Sequence, residues 1–152
     1  MQKIISDKKG IYVLEIFSPR TFTIQHKVFH HIKFKKGFYY YTGSGQKNLY
    51  KRIERHLKKN KKLFWHIDYI TSLPFIKIFR VKIFPDMPKK FECILVNILT
   101  HNYEIIFPVK NFGNSDCRNC CSHLLYSKKK LNFNRMGMLN QPVSYFPLKS
   151  PR

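Results

Sequence analysis

Acidic side chains are scarce in this chain: eight Asp and Glu stand against 29 Lys and Arg, a formal net charge of +21 over 152 residues. The eight, Asp7, Glu15, Glu54, Asp68, Asp86, Glu92, Glu104 and Asp116, form no close pair. That argues against two-carboxylate glycosidase chemistry and against nucleases built on acidic clusters for two metals. Long apolar runs are also missing. No stretch approaches the roughly 20 residues needed to cross a bilayer, and the opening MQKIISDKKG lacks the apolar core of a signal peptide. The expectation is a cytoplasmic protein with no membrane partner. Cysteine is sparse and clustered, with Cys93 alone and Cys117, Cys120 and Cys121 close together, which suggests thiols or a metal site more than disulfides.

What is present is a folded, basic body. Hydrophobic residues make up 43% and aromatic residues 16%, enough for a core and too much for a disordered tail. Lys128, Lys129, Lys130, Arg135, Lys149 and Arg152 account for +6 of the charge, leaving +15 on residues 1–127. An excess of this size is tolerated when a polyanion neutralises it, so nucleic acid is the leading expected partner; an anionic membrane surface or an acidic protein would give the same arithmetic, and charge alone does not name the polymer.

Residues 10–17, GIYVLEIF, and the alternating 21–27, TFTIQHK, are expected to be neighbouring strands of a hairpin. FYYYTGSG after Gly37 reads as a third strand. From Asn48, Leu49, Ile53 and Leu57 recur every four residues and predict a helix, with Arg52 and His56 at the same spacing beside that stripe. Residues 64–73 suggest a short helix or turn, and 75–84 another strand. Pro88 suits the first turn of a helix with an apolar face of Phe91, Ile94, Leu95, Ile98 and Leu99. A basic, Pro-punctuated extension with little periodicity follows, giving a domain over residues 1–126 and a flexible extension over 127–152. The class is α+β.

Gly10-Ile11-Tyr12, then Tyr41-Thr42-Gly43, then Leu49, Arg52 and His56 within YTGSGQKNLYKRIERH, and a later Glu92 in an apolar helix together resemble the signature of the GIY-YIG nuclease superfamily. WHIDYI (65–70) and FGNSDCRNCCSHLLY (112–126) resemble one little-characterised archaeal and bacterial branch, sometimes fused to base-excision DNA glycosylases. The resemblance implies a small three-stranded antiparallel sheet flanked by helices, here with an extra strand and the basic extension. It implies a metal-dependent endonuclease acting on DNA, with branched or damaged DNA in repair as a natural setting. By it, Glu92 would hold one Mg²⁺ or Mn²⁺ ion, and Tyr12 would be the general base with Tyr41 beside it. Arg52 would steady the charge developing on phosphorus, and His56 would orient or relay protons. Lys47, Lys51, Arg55, Lys58 and Lys59 would supply a phosphate-binding face. In the resembled branch Asp116, Cys117 and His123, with Ser115, look like a second polar cluster.

The residues also carry plainer readings. Tyr12 taken alone is ordinary strand packing, Tyr39 and Tyr40 read as sheet aromatics, and Arg52 sits among other cations. Glu92 also suits the positive end of a helix dipole. His66 and Asp68 either join the second cluster or cap and pack their own segment. Cys117, Cys120 and His123 are zinc-compatible, but no second C-x-x-C or His pair follows, and adjacent Cys120 and Cys121 rarely serve one ion, so zinc is the lesser expectation. The alternative to an enzyme is a non-catalytic module that binds DNA or structured RNA on the same fold.

Overall fold

The structure, a computed structural model, describes residues 9–113, 120–131 and 144–148. Three nine-residue strands form its centre: β1 (Gly10–Ser18), β2 (Gly37–Gly45) and β3 (Lys77–Pro85). β1 lies between the other two and runs antiparallel to both, with Tyr12 opposite Gly43 on one side and Ile83 on the other. β4 (Leu124–Ser127) extends the sheet beside β2, and the two-residue β5 (Ser144–Tyr145) beside β3. The fold is α+β, an antiparallel sheet in the order β4-β2-β1-β3-β5 flanked by helices.

Both faces of the sheet are covered, so its central strands are buried almost end to end. That removes the alternation a one-sided sheet would print on the sequence. One face carries Tyr12, Leu14, Ile16, Tyr39, Tyr41, Val81 and Ile83. Against it pack Leu49 and Ile53 of α1 (Leu49–Leu57) and Ile70 of the short α2 (Asp68–Thr71). The opposite face carries Ile11, Val13, Tyr40 and Phe84 and receives Phe91, Leu95, Val96 and Leu99 of α3 (Phe91–Asn102). The buried stripe of α3 differs from its sequence reading: Ile94 is 45% exposed, and Val96 fills the core in its place.

Residues 21–27 do not pair with β1. Both edges of β1 are taken by β2 and β3, so the buried Phe22 and Ile24 pack below the sheet, and Phe22 instead makes a two-way backbone bridge to Phe34 at 2.9 and 2.8 Å. The alternation correctly marked which side chains are buried; it did not identify their backbone partner. Most of the basic extension lies outside the described residues. Its described parts join the body: Tyr145 pairs with Lys82, Phe146 is buried, and the Leu131 N–H donates to the Tyr40 hydroxyl at 2.8 Å. Among the described residues no helix is long and apolar enough to cross a membrane.

Candidate active site and metal cluster

Tyr12, Tyr41, Arg52, His56 and Glu92, spread over 81 positions of sequence, line one cavity of about 750 Å³. Strand register accounts for the first two. Tyr12 and Tyr41 face the same side of the sheet, and Gly43, directly across from Tyr12, leaves room for its ring: a Cβ there would sit 2.5 Å from the phenol carbon bearing the hydroxyl. Gly113 plays the same part for Tyr41. Its φ of +80° is left-handed, and a Cβ would lie 2.7 Å from the Tyr41 ring.

The four-residue spacing of α1 brings Arg52 and His56 to this cavity on successive turns. His56 is 1% exposed and its ring lies among Tyr12, Tyr41 and Trp65, with centroids 5.3, 6.3 and 5.8 Å away. The Tyr12 hydroxyl is 2.6 Å from His56 Nε2. Burial, reinforced by Lys61 and opposed by Asp68, lowers the imidazole to a pKa of about 3, so it is neutral at pH 7. Burial, together with neighbouring Tyr41, raises the Tyr12 phenol well above its ordinary value. In the tautomer protonated at Nδ1, Tyr12 donates to Nε2. The buried Nδ1 has no hydrogen-bond partner among the described residues.

Arg52 reaches the cavity from an exposed position. One guanidinium nitrogen donates to the Ser44 carbonyl at 2.8 Å, and the group lies 4.6 Å above the Trp65 ring. Glu92 arrives from the other side. α3 packs on the opposite face of the sheet, but β4 pairs with β2 only over Phe38–Tyr41, and Glu92 in the first turn of α3 lines the same cavity as Gly43–Gly45. Among the described residues it is the one carboxylate lining the cavity, against Lys47, Lys89 and Arg52.

The basic run of α1 divides in two. Lys47, Lys51 and Lys58 are exposed, and Lys47 lines the cavity. Arg55 turns inward: its two terminal nitrogens meet both oxygens of the fully buried Asp68 at 2.9 and 2.8 Å, and one also donates to the Lys62 carbonyl. Lys59, though exposed, donates to the Thr71, Leu73 and Ile76 carbonyls at and beyond the end of α2, and Lys61 donates to the His56 carbonyl and to Thr71 Oγ1. These lysines cap the carbonyl ends of two helices. Burial lowers the Lys61 ammonium to a pKa of about 8.

Asp68 also accepts the Phe64 and Trp65 N–H groups, at 2.9 and 2.8 Å. Burial works to raise its carboxyl, but these bonds and Arg55 outweigh it and hold the pKa below the usual value. It therefore caps its own segment. His66 accepts the Gly113 N–H at 2.9 Å through Nδ1 and sits against Phe29 and Phe112. Trp65 and Gly113 carried no assigned role in the sequence reading. The signals for them are that Trp65 is the sole tryptophan and lies in the WHIDYI stretch, and that Gly113 lies in FGNSDCRNCCSHLLY.

A second cluster adjoins the first. Cys93, Cys120 and His123 offer ligand atoms that all lie within 4.8 Å of one another, a grouping that could bind a metal ion. Cys120 and His123 belong to the cluster expected from sequence. Asp116 and Cys117 fall outside the described residues, and Cys93, next to Glu92 on α3, is the member the sequence reading did not connect to it.

No curated protein and no solved structure matches the chain. A family model does match, over residues 11–140, a span that includes β2, β3, β4 and all of β1 but Gly10, both tyrosines, Arg52, His56, Glu92 and the Cys93, Cys120 and His123 cluster. The chain belongs to that family, described as a domain of unknown function, DUF123.

Proposed function

We propose that this protein is a metal-dependent endonuclease of the GIY-YIG type that hydrolyses phosphodiester bonds in DNA. The observation that carries the reading is the convergence of Tyr12, Tyr41, Arg52, His56 and Glu92 on one cavity from two strands and two helices. The surrounding charge suits a phosphate: among the described residues Lys47, Arg52 and Lys89 line the same space as one carboxylate, Glu92.

In this mechanism Tyr12 takes a proton from the attacking water as its own passes to His56 Nε2, 2.6 Å away. His56 is neutral at pH 7, so its Nε2 lone pair can receive that proton. Arg52, held by the Ser44 carbonyl and the Trp65 ring, presents fixed positive charge to the phosphorane oxygens. The donor set suits one hard divalent cation, because Mg²⁺ is commonly held by one or two carboxylates plus substrate phosphate oxygens. Glu92 would hold Mg²⁺ or Mn²⁺, which when bound supplies positive charge against the scissile phosphate. Tyr41, packed beside His56, would shape the floor of the site.

The test is cleavage of labelled single-stranded, duplex, flap and branched DNA, and of RNA, with Mg²⁺ or Mn²⁺ and with EDTA. Metal-dependent cutting of DNA is expected. Arg52→Ala should slow it about a hundredfold, and Glu92→Ala should abolish it, with binding retained in both. Tight binding with no cutting under any metal would instead identify a non-catalytic nucleic-acid module.

A further inference from the structure

Behind Glu92, three donors from separate parts of the chain come together. Cys93 lies in the first turn of α3, Cys120 precedes the turn into β4, and His123 is the residue before β4. His123 is fixed on both sides through its backbone: its N–H donates to the Phe112 carbonyl at 2.9 Å, and its carbonyl accepts the Thr42 N–H at 3.1 Å. Cys93 and His123 are buried, and Cys120 is partly open to solvent.

Two observations point to a ligand here. A tetrahedral zinc with its usual bond lengths, about 2.3 Å to sulfur and about 2.0 Å to nitrogen, separates neighbouring S and N ligands by about 3.5 Å. Cys93 Sγ and His123 Nε2 are 3.5 Å apart. The other ring nitrogen of His123 faces a carboxylate, with Nδ1 3.9 Å from Glu92 Oε1. Metal-ligating histidines commonly have a carboxylate at their second nitrogen; here the two groups are neighbours at 3.9 Å, beyond direct hydrogen-bond distance.

We propose that Cys93, Cys120 and His123 bind one Zn²⁺ ion through Sγ, Sγ and Nε2, a site separate from the cavity in which Glu92 would hold Mg²⁺ or Mn²⁺. Binding converts both thiols to thiolates and releases two protons to solvent. The His123 proton is then confined to Nδ1, the ring nitrogen near Glu92. The ion joins the start of α3 to the chain entering β4, two elements far apart in sequence, and anchors the turn of α3 that carries Glu92. The inference does not depend on the nuclease reading, because its readouts are metal content and spectra, not cleavage.

The full-length chain, expressed with zinc present, should hold about one zinc per molecule by elemental analysis. Cobalt added to the chelator-stripped chain should give a thiolate-to-cobalt charge-transfer band and the intense visible bands of a tetrahedral ion. Cys120→Ser, at the partly open position, should lose much of the charge-transfer band and weaken zinc binding at least about a hundredfold, since even outer partners of metal ligands are worth ten- to a hundredfold. Cys121→Ser should leave both unchanged. If Cys120→Ser does not fold, zinc affinity of the wild-type chain, measured against a chromophoric chelator, decides the matter: a Kd tighter than about 1 μM supports the site, and a weaker one overturns it. A wild-type chain with no zinc and no charge-transfer band also overturns it, leaving Cys93 and His123 as a thiol–imidazole hydrogen bond. So does a cobalt spectrum lost in Cys121→Ser but kept in Cys120→Ser.

Discussion

Two neighbouring regions along α1 treat their polar groups in opposite ways. Around Asp68 the bonding is saturated: a carboxylate with no exposure accepts two bonds from Arg55 and two from backbone N–H groups. Around Tyr12 it is unfinished. His56 Nδ1 is buried without a partner among the described residues, and Arg52 keeps an exposed guanidinium at the mouth of the cavity. Arg52 and Arg55 both lie over the Trp65 ring, at 4.6 and 4.5 Å, so proximity to the site does not separate them. What separates them is whether their bonding capacity is already filled from within the chain. A buried polar group with every bond made specifies the fold, whereas one left partly unsatisfied is costly and invites a functional explanation.

The largest effect that tests this contrast is on stability. Asp68→Ala leaves the Arg55 guanidinium and two N–H groups without their acceptor, and should destabilise the chain by about 3–5 kcal/mol, as breaking a buried ion pair does. Urea unfolding followed by far-UV circular dichroism measures it. A variant as stable as the wild type but deficient in cleavage would move Asp68 into the site and dissolve the distinction.

The next effect sharpens the other side. His56 titrates near 3 in the folded chain because burial disfavours its charged form, so the unfolded chain, with an ordinary imidazole near 6.5, binds more protons between those values. Stability therefore falls as pH drops through that window. Between pH 7 and pH 5 the loss from this one group is about 2 kcal/mol. In His56→Gln, which keeps a hydrogen-bonding side chain but cannot titrate, the dependence over that range should be flatter by that amount. Identical slopes in the two chains would mean that His56 is solvated and that the Tyr12 contact is not the closed pair described above.

Much of this organisation is legible in the sequence. The three long strands follow from β-branched and aromatic runs and the two longer helices from apolar spacing, and the five residues singled out by motif all line one cavity. Long-range choices are not legible. Alternation at residues 21–27 marks Phe22 and Ile24 as buried, yet nothing local shows that β1 has both edges occupied by residues 37–45 and 77–85. The Cys93 side chain meets His123 thirty positions away, a pairing that only the packing of α3 against the sheet creates. A run of cations likewise cannot show which of them will find carbonyls.

That last point gives the smallest effect and the most discriminating one. Lys51 and Lys59 sit in the same basic run and both are exposed, but Lys59 donates to three carbonyls at and beyond the end of α2. If Lys51 contacts a DNA phosphate, Lys51→Ala should reduce the slope of log affinity against log salt by about 0.9, the counterion released by one contact. Its stability should stay within about 0.5 kcal/mol of wild type. Lys59→Ala should show the reverse, a loss of about 1.5 kcal/mol of stability for its charged hydrogen bonds with the salt slope unchanged. Filter binding of duplex DNA across a salt series, run beside urea unfolding of both variants, reads the two effects separately. Equal changes in slope would mean that the Lys59 clamp opens when DNA binds, and that the division of α1 into a bonded side and an open side holds only for the protein without its partner.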